Sequence, residues 1–412
     1  MSSRSNRRQW MKSAAIAGAA GVAARHAGVV LSTAQAADDA ATADALIAGK
    51  DRRLIVYKAL PSEMETPGEL LAEHDLTPKE LLFVRNNGRF AEAQSLEPSS
   101  AEDWKVELGG LVEFPRSIDL KQLRELPAVE RTMVLQCSGN GRKFFSEAAP
   151  CPGSPWQLGA VANVCFGGVS LKSVVEKLQV NVDPRARFVT AEGRDDPAKP
   201  DAADFEHSLP IDDVLERSLL SLTLNGEPLP AVHGGPVRLV TPGFYGTMHV
   251  KWLTRLRFEA VETANHHQVR RYRTPLKTLK PGSEFEYGLD NSEPNWRMRI
   301  KSLVFAPADG AQVKAGQVLF QGAAFNDGSC AIERVEISLD GDVWQLADLH
   351  PPKDPCAWYP WRAKLDLTAG EHAVRVRAVD AQGRTQPLDG SVFWNPAGYC
   401  WNGVHQVRVV AT

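Results

Sequence analysis

The sequence predicts an α+β protein in which a mixed α/β domain is followed by an all-β, immunoglobulin-like sandwich domain. Three observations predict this arrangement. The chain has 412 residues, which is too long for one typical hydrophobic core. Residues 37–285 mix helix and strand patterns without the regular alternation of a doubly wound sheet, whereas residues 292–412 carry only strand patterns. A polar segment rich in proline and glycine separates the two regions.

Residues 1–36 have the composition of an export signal rather than of a folded element. Arg7 and Arg8 are followed by a weakly apolar run of alanine and glycine, and "AQA" at residues 34–36 fits a cleavage site. The paired arginines predict a twin-arginine signal, because an ordinary secretory signal needs no second arginine. We therefore expect a mature chain that starts near Ala37, is exported folded and works in a periplasm.

Charge and cysteine spacing exclude several classes of function. The net charge of −3 gives no electrostatic basis for binding nucleic acid. The sequence has no apolar stretch long enough for a transmembrane helix. The six cysteines form no CxxC pair and no CxxCH motif, so the sequence does not support a zinc site, an iron–sulfur cluster or a covalently attached haem.

The elements of the first domain can be placed in order. In "ETPGELLAEHD", Thr66 and Glu69 predict a capped helix. A strand over Leu81–Val84 and a hairpin in "WKVELGGLVE", turning at Gly109-Gly110, are expected next. Asp119 is then the expected cap of a short helix.

A strand ending at Cys137, a helix in "GGVSLKSVVEKL" and strands in "ARFVTAEG" and "PVRLVTPG" complete this domain. In the second domain, "MRIKSLVFAP", "QVLFQGAAF", "HAVRVRAVDAQG" and "VHQVRVVAT" alternate as strands do, and Asp340-Gly341 predicts a hairpin turn.

The stretch "VLQCSGNGR" (residues 134–142) places one thiol, Cys137, between an apolar strand and a glycine turn. A buried structural cysteine is the more common reading of a lone thiol. Gly139 and Gly141 allow close backbone approach, however, and Arg142 supplies a charge that lowers a thiol pKa. The thiolate would then be either a nucleophile or a ligand for a soft transition metal.

A second cluster, residues 232–253, combines cations with glycine turns. His233, Arg238, His249 and Lys251 lie there beside Pro-Gly and Tyr-Gly pairs, a pattern that suits a phosphate or a pterin. The alternative is a strand pair with solvent-facing charges.

Together these stretches resemble the sulfite oxidase family of molybdenum enzymes. "LQCSGNGR" is similar to the family's molybdenum-cysteine motif, "PG-x-x-G-x-x-x-VKWL" to its pterin-binding segment, and "FWNPAGYCWNGVHQVRV" to the end of its dimerisation domain. The resemblance implies a molybdopterin-binding catalytic domain at residues 37–285 and a dimerisation domain at 292–412. It also implies a molybdenum-pyranopterin cofactor with Cys137 as the protein thiolate on the metal.

The resemblance also implies roles for individual residues. Three would surround the substrate: Arg85, Arg142 and Trp156. The others would hold the cofactor: Asn87, Cys137, His233, Arg238, Gly246, His249 and Lys251. Bidentate guanidinium groups suit an oxyanion such as sulfite. Three positions depart from the family pattern: Ala264 aligns with the active-site tyrosine, Cys356 with a substrate arginine of the second domain, and Met248 with an arginine of the pterin segment.

The expected function is periplasmic oxidation of sulfite to sulfate by a homodimer, with electrons passed to a separate c-type cytochrome because the chain itself should carry no haem. Within the family, a sulfane-sulfur dehydrogenase or an S-oxide reductase stays open. Outside it, a metal-free binding protein with a structural Cys137 and a cysteine hydrolase remain alternatives.

Overall fold

The computed structural model describes residues 48–91, 93–199 and 201–412. The predicted export signal and the predicted mature start at Ala37 lie outside the described residues, so both stay predictions. No helix in the described part of the chain has the length and apolar character needed to cross a membrane.

The first part of the fold is built from short strands and six short α-helices within the described residues. Its strands are β1 (Ile55–Lys58), β2 (Glu63–Glu65), β3 (Val84–Arg85), β4 (Lys105–Gly110), β5 (Arg116–Asp119), β6 (Ala128–Gln136), β7 (Val161–Ser170), β8 (Phe188–Gly193), β9 (Glu206–Pro210), β10 (Leu219–Leu224), β11 (Glu227–Pro228), β12 (Arg238–Val240), β13 (Leu253–Glu259), β14 (Arg273–Pro275) and β15 (Ser292–Pro294). The helices are α1 (Gly68–Leu71), α2 (Leu120–Arg124), α3 (Arg142–Ala148), α4 (Leu171–Lys177), α5 (Ile211–Arg217) and α6 (His266–Val269).

Two five-stranded sheets dominate this part. One has the order β11-β10-β7-β6, with β12 also paired to β10; the other has the order β5-β4-β13-β8-β9. All pairs in them are antiparallel except β4 with β13. The run Met133 to Leu135 of β6 is buried on both faces of its strand, and this burial explains its continuous apolar sequence.

Several predicted elements are confirmed by the structure. Asp119 caps α2 in a capping box with Gln122, and Ser170 caps α4 by accepting a hydrogen bond from the Ser173 amide. The strand leading into Cys137 is β6, and "ARFVTAEG" and "PVRLVTPG" contain β8 and β12.

Two local predictions are wrong for identifiable reasons. The helix in "ETPGELLAEHD" is only the single turn α1, because the Thr66 hydroxyl donates to the Leu81 carbonyl at 2.6 Å instead of capping. The pair Gly109-Gly110 does not form a hairpin turn. It ends β4, where the Gly110 backbone packs so closely on Phe258 that a Cβ atom would lie 2.4 Å from the Phe258 carbonyl oxygen.

The remaining strands form a two-sheet sandwich, which confirms the predicted fold class. They are β16 (Lys301–Ala306), β17 (Ala311–Val313), β18 (Gly316–Phe325), β19 (Ile332–Leu339), β20 (Trp344–Leu346), β21 (Asp348–Leu349), β22 (Tyr359–Leu367), β23 (Gly370–Asp380) and β24 (His405–Ala411). One sheet has the order β16-β18-β22-β21 and the other β17-β24-β23-β19-β20. The β19–β20 hairpin turns through Asp340, whose φ is +50°, as predicted for the Asp-Gly pair.

The last loop of the sandwich, residues 394–402, packs against the loop that follows Cys137. The Cys400 amide donates to the Ser138 carbonyl at 2.7 Å. Trp401 stacks on Phe144 with ring centroids 4.7 Å apart. The second domain therefore supplies part of the support for the loop that carries the predicted metal ligand.

Candidate active site

A cleft of about 670 Å³ opens at the ends of β3 and β6. It is lined by residues of β3, of the sheet that contains β6 and β12, and of the loops around them: Phe83, Arg85, Asn86, Asn87, Leu135, Cys137, Asp195, Phe205, His233, Arg238, Gly246, Thr247, His249, Lys251, Trp252 and Tyr272. Eight of the ten residues predicted from sequence line this one cleft, although they come from segments far apart in the chain.

Cys137 lies on the floor of the cleft, immediately after β6. Its amide donates to the Ala160 carbonyl at 2.9 Å, and the Gly139 amide lies 3.4 Å from its Sγ atom. Burial raises the pKa of the Cys137 thiol, while the Arg85 charge opposes that shift. Without a further positive charge the buried group favours the thiol, so a bound metal ion would be needed to keep it as thiolate.

The glycines of this loop make room for protein atoms rather than for a ligand. A Cβ atom on Gly141, whose φ is +93°, would lie 2.7 Å from the Trp401 ring. A Cβ atom on Gly139 would lie 2.7 Å from the Arg142 guanidinium. The expected close approach of the backbone is therefore confirmed, and the groups approached are Arg142 and the second domain.

A wall of cations, with Arg238 buried and Lys251 half-buried, lines the same cleft as Cys137. The Arg238 guanidinium donates to the carbonyls of His233 at 3.0 Å and His249 at 3.2 Å. Lys251 donates to the Val232 carbonyl at 2.8 Å and to the Asn86 side chain. Within the described part of the chain, neither cation forms an ion pair with a carboxylate. Burial lowers the pKa of Arg238 to about 9. Desolvation and the nearby Arg238 charge lower the pKa of Lys251 well below its ordinary value, and the Asp195 carboxylate offsets only part of that shift.

His249 and Asp195 are two further polar groups in the cleft. Neither ring nitrogen of His249, which is buried, has a hydrogen-bond partner of good geometry among the described residues, and burial lowers the pKa of His249 to about 3. Asp195 is the carboxylate in the cleft, and burial raises its pKa to about 7. Unpaired cations and an unsatisfied histidine fit an anionic cofactor rich in hydrogen-bonding groups.

Arg85, Asn87 and Tyr272 form a hydrogen-bonded group in the same cleft. The Asn87 Oδ1 atom accepts from Arg85 at 2.7 Å and from the Tyr272 hydroxyl at 2.7 Å. Glu63 lies 3.7 Å from the Arg85 guanidinium. Tyr272 has a φ of +52° and stacks on Tyr399 with ring centroids 5.0 Å apart. This arrangement holds a guanidinium and a phenol beside the thiol.

Tyr272 corrects the alignment of the active-site tyrosine with Ala264. Ala264 is exposed and lines a separate surface depression with His266. The tyrosine that faces the cleft follows eight residues later, in the sequence "NHHQVRRY". The shift arises in the variable loop before α6, and the signal that could have found Tyr272 is this nearby tyrosine.

The alignment of Cys356 with a substrate arginine is also wrong. Cys356 is buried and lines a different groove, together with Cys165 and the loop at residues 350–355. The second-domain residue that contacts a side chain of the cleft is Tyr399, which stacks on Tyr272. Met248, the third departure, is fully buried in the apolar core.

Arg142 and Trp156 do not line the cleft. The Arg142 guanidinium donates to the carbonyls of Ser154 at 2.9 Å and Ala397 at 3.1 Å, and it lies over the Tyr399 ring at 5.5 Å. Trp156 is fully buried and contacts Tyr57 edge-on, in the same apolar cluster as Cys137. Their predicted contact with substrate stays a prediction.

Comparison with known proteins identifies the family. The chain matches the oxidoreductase molybdopterin-binding domain model over residues 93–267 and the Mo-co oxidoreductase dimerisation domain model over residues 292–412. It is 33% identical to the sulfite oxidase of Gallus gallus over 370 residues, which cover 86% of this chain and 77% of that protein. This chain belongs to the sulfite oxidase family.

One further relative and one solved structure are also similar to most of this chain. Human mitochondrial sulfite oxidase is 31% identical, and the match covers 86% of this chain but only 65% of the human protein. The solved sulfane dehydrogenase SoxCD from Paracoccus pantotrophus has a TM-score of 0.70 and 25% identity, covering 84% of this chain and 83% of that one. The predicted resemblance is thus confirmed, and the chain contains a molybdopterin-binding oxidoreductase domain.

Proposed function

We propose that this protein is a molybdenum-dependent oxidoreductase that oxidises sulfite to sulfate. The observation that carries the proposal is the meeting, in one cleft, of a single thiol, a wall of unpaired cations and the Arg85–Asn87–Tyr272 group. Each part alone is common in proteins. Their combination matches the needs of an anionic metal cofactor and an anionic substrate.

The residues present fit a molybdenum-pyranopterin cofactor. Cys137 would supply the protein thiolate to the metal, since a soft sulfur ligand suits a transition metal. Arg238 and Lys251 would pair with the phosphate, and His233 and His249 would bond the remaining polar atoms. Gly246 lets the chain pass close to Gln136 behind the cleft, where a Cβ atom would lie 3.1 Å from the Gln136 carbonyl. When bound, the cofactor supplies oxo transfer and two-electron redox chemistry.

Arg85 and Tyr272 would bind and orient the substrate. Sulfite carries up to two negative charges, which a guanidinium group binds more strongly than a neutral donor does. Asn87 holds both side chains through one oxygen atom. The Tyr272 hydroxyl can turn from that oxygen to donate to a substrate oxygen without any movement of the backbone. The apolar residues Phe83, Leu135 and Phe205 would limit water around the bound anion.

The cellular setting is part of the same proposal. The paired arginines of the leader support export in the folded state to the periplasm. The sequence has no CxxCH motif, so electrons would pass to a separate c-type cytochrome. The match to a dimerisation domain supports a homodimer that forms through the sandwich.

A sulfane-sulfur dehydrogenase is the second candidate, and the likeness to SoxCD favours it. The two candidates differ in substrate rather than in cofactor, so the cleft chemistry described above applies to both. An S-oxide reductase would use the same cleft in the opposite redox direction.

Elemental analysis combined with a substrate panel tests the proposal. Protein expressed with its leader intact should contain molybdenum in equimolar amount and reduce cytochrome c or ferricyanide with sulfite. Turnover with a thiosulfate-derived sulfane and not with sulfite would establish the second candidate, and reduction of an S-oxide the third. Absence of molybdenum from correctly exported protein would contradict all three and revive a binding protein or a cysteine hydrolase.

A further inference from the structure

Lys50 is a buried lysine that contacts a cleft residue from outside the cleft. It precedes β1 and lies outside the matched molybdopterin-binding segment, residues 93–267. Its Nζ atom is 2.6 Å from the Lys79 carbonyl, 2.6 Å from the Leu82 carbonyl and 2.7 Å from Nε2 of His233. A lysine with 8% exposure and no carboxylate within ion-pair distance in the described residues requires a reason for its burial.

The three contacts match the three N–H bonds of an ammonium group. Both carbonyl oxygens can only accept hydrogen bonds, so they take two of the protons. The third proton then points to His233 Nε2, which must act as the acceptor. All three distances are short, as expected for charge-assisted hydrogen bonds. In a neutral imidazole only one nitrogen carries a proton, so the His233 proton would lie on Nδ1.

A neutral amine on Lys50 would reverse this assignment. Burial lowers the pKa of Lys50, which favours the amine, although the Glu80 charge opposes the shift. In that case His233 Nε2 would donate to the amine nitrogen, and Nδ1 would face the cleft as an acceptor. The two short contacts to carbonyls favour the ammonium, because a fully bonded ammonium offsets much of its desolvation. A bound phosphate nearby would favour it further.

His233 lines the cleft, and Lys50 occupies its Nε2 atom, so Nδ1 is the ring nitrogen left for a ligand. We propose that Lys50 fixes His233 as the Nδ1–H tautomer, so that the ring donates a hydrogen bond to an acceptor atom of the bound molybdopterin. Lys50 is thus a positioning residue that acts through His233. This inference rests on the proposed function, because it takes molybdopterin as the occupant of the cleft.

Neutron diffraction from the deuterated holoenzyme tests the tautomer directly. We expect three deuterons on Lys50 Nζ and one on His233 Nδ1, with none on Nε2. A deuteron on His233 Nε2, or on both ring nitrogens, would overturn the inference. This readout needs no variant and does not depend on activity.

The variant Lys50→Met provides a second test, with Lys79→Met as its matched control. Lys79 supplies only its carbonyl to Lys50, and its side chain forms a surface ion pair with Glu227. Loss of a partner that orients a ligand-binding histidine typically costs about 10–100-fold in affinity. We therefore expect the fraction of molybdopterin retained after dialysis to fall on the order of 10-fold in Lys50→Met and not in Lys79→Met.

The two proposals fail in different ways. Wild-type holoenzyme without molybdenum would refute the proposed function. Wild-type protein that binds molybdenum in equimolar amount, together with a Lys50→Met variant that is folded and retains the cofactor equally well, would refute only the role of Lys50. If Lys50→Met fails to fold, the deuteron positions in the wild-type protein still decide.

Discussion

Two walls lie beside Cys137, and their similar side chains differ in whether they line the cleft. On the wall formed by residues 232–253, Arg238, His249 and Lys251 line the cleft. Neither cation has a counter-ion among the described residues, and neither ring nitrogen of His249 has a hydrogen-bond partner of good geometry there. On the wall formed by the Cys137 loop and residues 394–402, Arg142 lies outside the cleft, although it contacts two carbonyls and an aromatic face much as Arg238 does. A cation that lines the cleft is available to an anionic ligand, whereas Arg142 supports the loop.

The largest effect is expected from Cys137→Ser, at the floor between the two walls. If this sulfur is the ligand, sulfite oxidation should fall by at least about 1000-fold, or about 4 kcal/mol in activation free energy, because a hard oxygen replaces a soft donor. Steady-state kinetics with sulfite measures this loss of activity. Cys356→Ser is the matched control, because that thiol lies in the same apolar cluster but lines another groove. Equal loss in both variants would count against a ligand role.

Lys251→Met sharpens the comparison on the cation wall. We expect cofactor retention to fall by about 10–100-fold, as for other lost anion partners. The melting temperature of cofactor-free protein should be unchanged or higher, because a half-buried cation without an ion-pair partner in the described residues is removed. Molybdenum analysis and calorimetry give the two readouts, with the exposed Lys143→Met as control. A large fall in the stability of the cofactor-free protein would show that Lys251 is structural.

Arg85→Gln and Arg142→Gln compare an arginine in the cleft with one outside it. Arg85→Gln should raise the KM for sulfite by about 10–100-fold, since charge-assisted bonds contribute about 1.5–3 kcal/mol, with little change in melting temperature. Arg142→Gln should lower the melting temperature by several degrees, because two partly buried carbonyls lose their donor. If Arg142→Gln instead raised the KM for sulfite and Arg85→Gln lowered the melting temperature, Arg142 would be the substrate arginine and the distinction between the two walls would be wrong.

The smallest effect is expected from Lys301→Met, behind the second wall. The Lys301 ammonium is fully buried, has no hydrogen-bond partner in the described residues and lies 5.5 Å from the Trp401 ring centroid. Burial lowers its pKa from 10.5 to about 7. The folded state therefore binds fewer protons between these values, and the cost of burial is full below pH 7 and lost above pH 10.5.

Lys301→Met should accordingly raise the melting temperature by about 2 °C or more at pH 6, and by much less at pH 10. Differential scanning calorimetry at the two pH values measures the difference, and the exposed Lys314→Met serves as control. A gain that does not depend on pH would mean that packing rather than charge explains the effect.

The sequence allowed the cation wall to be predicted because its residues are local. His233 to Lys251 span one short segment with glycine turns, and the composition of that segment already indicates an anion site. The alternation of apolar residues likewise predicted the sandwich. These features depend on spacing within one segment, which a single sequence displays.

Features that depend on contacts between distant segments could not be predicted. Arg142 donates hydrogen bonds to backbone carbonyls 12 and 255 positions away. Every residue has a backbone carbonyl, so the amino-acid sequence cannot indicate which ones will be partners. Lys50 is 183 positions from His233. The placement of Tyr272 was missed because it depends on the path of the preceding loop. A single sequence does not show which residue of such a loop faces the cleft.

The contact between Gly141 and Trp401 has a consequence for the order of assembly. A side chain at residue 141 would collide with the indole, so the loop after Cys137 packs in its final form against Trp401. Synthesis must therefore reach residue 401 before the floor of the cleft can be fixed by this contact. Removal of residues 401–412, far from Cys137 in sequence, would leave that floor without this support.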